Sequence, residues 1–149
     1  MMLKTRTYIV CFLIVLSLFV SSKSIHPKSI VSAQSTVDVE LLDIETNETR
    51  TIEANPKIQL EAKKIIKEID TIVIKLDPFS DKGYMLRIPL TPSLQLKNEW
   101  VNSLIGEVFI IIPEGDKPFL LIFDDKNKPY FFSFKREIDS ILKMLDVPI

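Results

Sequence analysis

The side chains of this 149-residue chain with the means to do chemistry are acids. They fall in three pairs, Asp77 with Asp81, Glu114 with Asp116, and Asp124 with Asp125, each set among prolines, glycines and polar residues that read as a turn. Clustered carboxylates suit Ca²⁺, and two of them across a glycosidic bond are the machinery of sugar hydrolysis. The D-x-D-x-D-G spacing of a calcium loop is missing, and so small a domain offers little cleft for a sugar chain. Acids are ordinary turn formers, so solvated turns are the plainer reading. Ser80 and Lys82 make a conceivable Ser–Lys pair with no surrounding signature.

The exclusions are stronger. The single cysteine, Cys11, and the single histidine, His26, both precede Gln34. Beyond that point Ser-His-Asp and Cys-His catalysis and thiolate or imidazole zinc sites are ruled out. The three glycines, Gly83, Gly106 and Gly115, lie too far apart to cradle a phosphate or a dinucleotide. No catalytic, cofactor or metal residue is expected.

The leader explains where those residues are. Lys4 and Arg6 precede an apolar run, Tyr8–Val20. A basic start followed by such a run reads as a secretory signal. As a helix it spans about 20 Å, short of the ~30 Å of a bilayer core. Val31-Ser32-Ala33 and Val20-Ser21-Ser22 are candidate cleavage sites; the alternative is a retained N-terminal anchor. Either way residues 1–33 are a signal peptide or anchor, and residues 37–147 form one domain outside the cytoplasm, secreted or tethered. Past Gln34, fifteen basic residues face twenty acidic ones, which argues against nucleic acid as a partner and limits membrane contact to the N-terminal segment. Lysine outnumbers arginine fifteen to four, and isoleucine outnumbers alanine twenty-one to three, which suits an AT-rich Gram-positive bacterium.

The elements follow from periodicity. Val37, Val39 and Leu41 alternate with Asp38 and Glu40, the mark of a half-buried strand, and Thr51–Glu53 can return beside it as a hairpin. Asn55-Pro56 opens a helix over about 57–69, with Ile58, Ala62, Ile65, Ile66 and Ile69 on one stripe. Strands are expected at 71–76 and 84–90, the second at a sheet edge because Pro89 lacks a donor. A crossing loop, "TPSLQLKN", leads to a short helix at 98–105 capped by Asn98. Strands at 107–112, 119–123 and 130–134, with six residues between each pair, suit hairpins. A last helix over about 136–145 carries Ile138, Ile141, Leu142 and Leu145. The sum is an α+β fold, a mostly antiparallel sheet with two main packed helices.

The three late strands are apolar on both faces. The helices account for one. On the other, Phe109, Ile111, Leu120, Ile122 and Phe131 need a cover, since each large side chain left in water forgoes about 1.5–3 kcal/mol. The plainer cover is internal, from the N-terminal hairpin at 37–53, the helix at 98–105 or sheet curvature; the alternative is external, from a second copy, a partner protein or an apolar ligand. Trp100, Phe109, Leu120 and Phe131 are the candidate partner-binding residues, although Trp100 reads first as a helix-to-sheet core residue. The expected function is a non-enzymatic binding or assembly module of the cell envelope. A small carboxylate-dependent hydrolase and a membrane-tethered accessory subunit are the alternatives.

Overall fold

A computed structural model describes residues 38–74 and 81–147. The expected signal or anchor at 1–33 lies outside them, as does the end of the strand expected at 71–76. The elements in chain order are β1 (Val39–Asp43), β2 (Thr49–Ile52), α1 (Pro56–Lys67), β3 (Ile69–Ile72), β4 (Gly83–Lys97), β5 (Asn102–Pro113), β6 (Phe119–Phe123), β7 (Pro129–Phe134) and α2 (Asp139–Met144). The seven strands form one antiparallel sheet in the order β2-β1-β4-β5-β6-β7-β3, with two helices. Among the described residues no helix is long and apolar enough to cross a membrane.

Helix α1 forms where its capping residues place it. Asn55 Oδ1 accepts from the backbone N–H groups of Lys57 and Ile58, and Pro56 opens the first turn, where no donor is needed. Ile58, Ala62, Ile65 and Ile66 are buried against the sheet. Ile69 belongs instead to β3, because Glu68 ends the helix. Helix α2 is shorter than expected, but its stripe of Ile138, Ile141, Leu142 and Leu145 joins the same core. Arg50, from edge strand β2, donates to the Leu145 and Asp146 carbonyls just past α2, meeting the orphan acceptors of a helix end.

Two expectations fail in the middle of the chain. The "TPSLQLKN" stretch is no crossing loop; Thr91–Lys97 continues β4, which pairs with β5 to its end at Lys97↔Asn102. The helix at 98–105 does not form. Residues Asn98–Val101 are a hairpin turn, in which Asn98 Oδ1 accepts from the Trp100 and Val101 amides. An asparagine makes the same two bonds at a helix start and in a tight turn, so its cap signal could not separate them. The strand that follows shows the two-residue period, with Val101, Ser103 and Ile105 buried and Leu104 60% exposed.

Pro89 is not on an edge strand either, since β4 lies between β1 and β5. The β1 ladder on β4 stops at Glu40↔Arg87, so Pro89 passes its end and no bond is lost. Gln59 of α1 closes the gap: its Nε2 donates to the Pro89 carbonyl at 2.6 Å and its Oε1 accepts from the Thr91 amide at 3.1 Å. There the β4–β5 register shifts, between Pro89↔Glu107 and Leu94↔Ile105, around the cis Thr91–Pro92 bond. At the other end of the hairpin, Gly83 adopts φ +123°, and a Cβ there would run into the Ile112 carbonyl.

Candidate functional site

The sheet has two unlike faces. On one, inward residues of β1, β4, β5, β6 and β7 meet both helices in a single core, with Val108, Ile110, Leu120, Ile122 and Phe132 at its centre. On the other, Ile111, Phe119 and Leu121 are buried, and Val73, Met85, Phe109, Phe123 and Phe131 pack beside them half-buried. Among the described residues, no helical residue belongs to this second cluster.

The register decides which side chains sit where. Ile110 is opposite Leu120, and Leu120 opposite Phe132; Phe109 is opposite Leu121, and Leu121 opposite Phe131. Leu120 and Ile122 are therefore helix-side core residues, fully buried, and not part of the outer face as expected. Phe119, Leu121 and Phe123 take their place. β6 runs over the expected Phe119–Phe123, but β5 extends to Pro113 and β7 begins at Pro129, so the connections hold five residues instead of six. One residue of slip turns every side chain of a strand to the other side.

The four expected partner residues thus separate. Phe109 and Phe131 lie on the outer face. Leu120 lies under the helices. Trp100, on the hairpin turn, packs on the helix side with its ring 5.7 Å from Phe132, and Tyr130 stacks on Phe132 at 6.1 Å.

The outer face itself has two parts. Toward the end where Gly83 meets Pro113 it is buried, at Ile111 and Phe119. Toward the Asn98–Val101 turn it is open. There Phe109 and Phe123, both half-buried, meet edge to face at 5.9 Å. Beside Phe109 stands a charged triad on the same face: Arg87 Nε holds Glu107 at 2.8 Å and its Nη1 holds Glu40 at 3.1 Å. The Glu107 carboxylate, and then Glu40, raise the Arg87 pKa further.

The acidic turns behave as turns. Asp124 Oδ1 accepts from the Lys126 and Lys128 amides, and its pKa is lowered chiefly by the Lys128 bond. Asp125 hangs its amide on the buried Ser103 hydroxyl. Asp43 Oδ1 braces the Glu45 and Thr46 amides. At the Gly83 end, an open cleft of about 1090 Å³ has Tyr84, Ile112 and Leu142 at its floor and Lys82, Glu114 and Glu137 among its rim residues. Lys82 pairs with Glu45 at 2.7 Å across that rim. Among the described residues no group of three or more acids, histidines or cysteines could hold a metal ion. Asp77 and Ser80 lie outside the described residues.

In comparisons with known proteins the chain matches no family model, no curated protein and no solved structure.

Proposed function

We propose that this protein is an exported, non-enzymatic binding or assembly domain of a Gram-positive cell envelope, secreted or tethered by its N-terminal segment. It grips a partner protein through the half-buried part of the outer face, Phe109 and Phe123, with Phe131 at its border. The observation that carries this reading is the contiguity of those aromatic side chains in a cluster that, among the described residues, no helical residue joins. Aromatic anchors flanked by polar groups are the usual anatomy of a protein interface. The charges beside the strip are already paired with one another in the Arg87 triad, so they ask for no counter-charge. Such a surface is complementary to itself, and a second copy is the simplest partner. The use of Asp124 as a turn brace supports binding over carboxylate hydrolysis.

The test uses protein recovered from its own cells. Mass spectrometry reads the N-terminus, and sedimentation velocity over a hundredfold concentration range reads assembly. The expected result is a chain found outside the cytoplasm whose sedimentation rises with concentration, and loses that rise in Phe123→Ser. Recovery from the cytosol, or sedimentation that Phe123→Ser leaves unchanged, overturns the proposal.

A further inference from the structure

The helix side of the sheet carries a second accessible surface. Helix α2 starts at Asp139 and not near residue 136, so residues 135–138 run without helix beside the end of the sheet. Helical cover is thus incomplete where Gly83 meets Pro113. Tyr84, Ile112 and Phe134, inward residues of β4, β5 and β7, pack on the core there and stay half-buried. With Leu142 they line the floor of the cleft of about 1090 Å³.

The charges around that floor are unequal. Among the described residues six carboxylates line the cleft, Asp43, Glu45, Glu114, Asp116, Glu137 and Asp139, against four cations, Lys82, Lys117, Lys135 and Arg136. Two of the cations are committed elsewhere. Lys135 Nζ lies 2.8 Å from Asp70, and Arg136 holds Glu61 and Glu68 at 3.0 Å each; none of those three acids lines the cleft. Lys82 is held at the rim by Glu45 at 2.7 Å.

The acids also differ in what the fold asks of them. Asp43 and Asp116 brace backbone amides of their own turns. Asp139 lies in the first turn of α2, where a negative charge suits the helix dipole. Glu114 and Glu137 have no such task. Both are exposed, and among the described residues neither side chain takes part in a salt bridge or a hydrogen bond.

A ligand that fits must lay apolar surface on the floor and bring positive charge to the rim. An aromatic or aliphatic side chain gains by leaving water for Tyr84, Ile112 and Phe134. A Lys or Arg beside it meets complementary charge, which sets orientation and rejects acidic competitors. Size narrows the class further. Small-molecule sites enclose most of their ligand in roughly 300–1,000 Å³. This cleft is at least as large and is open to solvent, which suits a chain that enters and leaves. We propose that the cleft binds a basic peptide segment of a partner protein, with a bulky apolar side chain on Tyr84, Ile112 and Phe134 and Lys or Arg side chains on Glu114 and Glu137. It lies on the opposite face from Phe109 and Phe123, and its use does not depend on assembly through them.

The test pans a random dodecapeptide library on the full chain and measures the enriched peptides, fluorescein-labelled, by anisotropy. The expected result is enrichment of peptides with Lys or Arg beside an aromatic or aliphatic residue. Their binding should weaken about fivefold in Glu114→Gln with Glu137→Gln, and weaken again as salt rises from about 0.05 M to about 0.5 M. Serine in place of the peptide's apolar residue should weaken it about tenfold. Glu53→Gln with Glu99→Gln, which removes two exposed charges outside the cleft, should leave binding unchanged, as should Phe123→Ser. The glutamine exchanges are isosteric and on the surface, so the fold is kept. No enrichment, enriched peptides without a basic residue, equal losses in the two double variants, or loss in Phe123→Ser overturns the proposal. Displacement of the labelled peptide by an equal concentration of spermidine would mark a site for a compact cation, and overturns it as well.

Discussion

On the helix side of the sheet, Val108, Ile110, Leu120, Ile122 and Phe132 touch side chains from five strands and two helices in one core. On the outer side, the described residues clustered with Phe109, Ile111, Phe119, Leu121, Phe123 and Phe131 come from the strands and from Val73. The residue types are the same, and alternate residues of the same strands supply both sets. What separates them is their cover: on one side helices whose stripes interlock with the sheet, on the other a cluster that is buried at Ile111, Phe119 and Leu121 and half-buried at Phe109, Phe123 and Phe131. Hydrophobic composition therefore marks where apolar surface exists. Tertiary cover decides whether that surface stabilises the fold or is available to bind.

The comparison can be broken most directly by truncation. Phe132→Ala, under the helices and against the Trp100 ring, is expected to cost about 3–5 kcal/mol of stability. Phe123→Ala, half-buried on the open strip, is expected to cost about 1 kcal/mol. Chemical denaturation measures both; equal losses would mean that the outer strip is core.

A smaller effect sharpens the helix side alone. Gln59→Ala removes the two Gln59 bonds from α1 to β4, stranding the Pro89 carbonyl and the Thr91 amide, for an expected loss of about 1–2 kcal/mol. Gln59→Glu, which keeps the acceptor for Thr91 and loses the donor for Pro89, should fall between.

The smallest effect is electrostatic. Glu61 lies between α1 and the chain leading into α2, with Lys64 at 2.7 Å and Arg136 at 3.0 Å. The Lys64 bond, with help from Arg136, holds its pKa below the usual glutamate value. A depressed carboxylate stabilises the fold above its unfolded pKa of about 4.3 and loses that contribution as pH falls through the folded value. Thermal unfolding between pH 6 and pH 3 should therefore show a downward slope toward acid that is shallower in Glu61→Gln. An identical slope in the variant would assign the acid sensitivity elsewhere.

Much of this architecture was legible in the residues. Asn55-Pro56 and the Ile58–Ile66 stripe announce α1 because caps and period act over a single turn of chain. The apolar doubling of the late strands announces a sheet with apolar clusters on both faces. The Asn98 turn was misread because its local chemistry is shared with a helix start, and Trp100, Val101 and Leu104 happen to fit a helical spacing. Phe109 and Phe131 were found on the outer face because they follow from alternation within their own strands. Leu120 was misplaced because its face depends on pairing across a turn, where a single residue matters.

The sequence by itself determined the acid-and-amide chemistry, the absence of thiol and imidazole past Gln34, and the strands and helices whose signals lie within a few residues of each other. Only the tertiary structure decided which side chains share a face, that Pro89 sits beyond the end of β1, and that β3 joins the edge far from β4. Those are relations between segments distant along the chain. They are set by registers and crossovers whose free energy belongs to the pair of strands, and no single stretch of residues carries it.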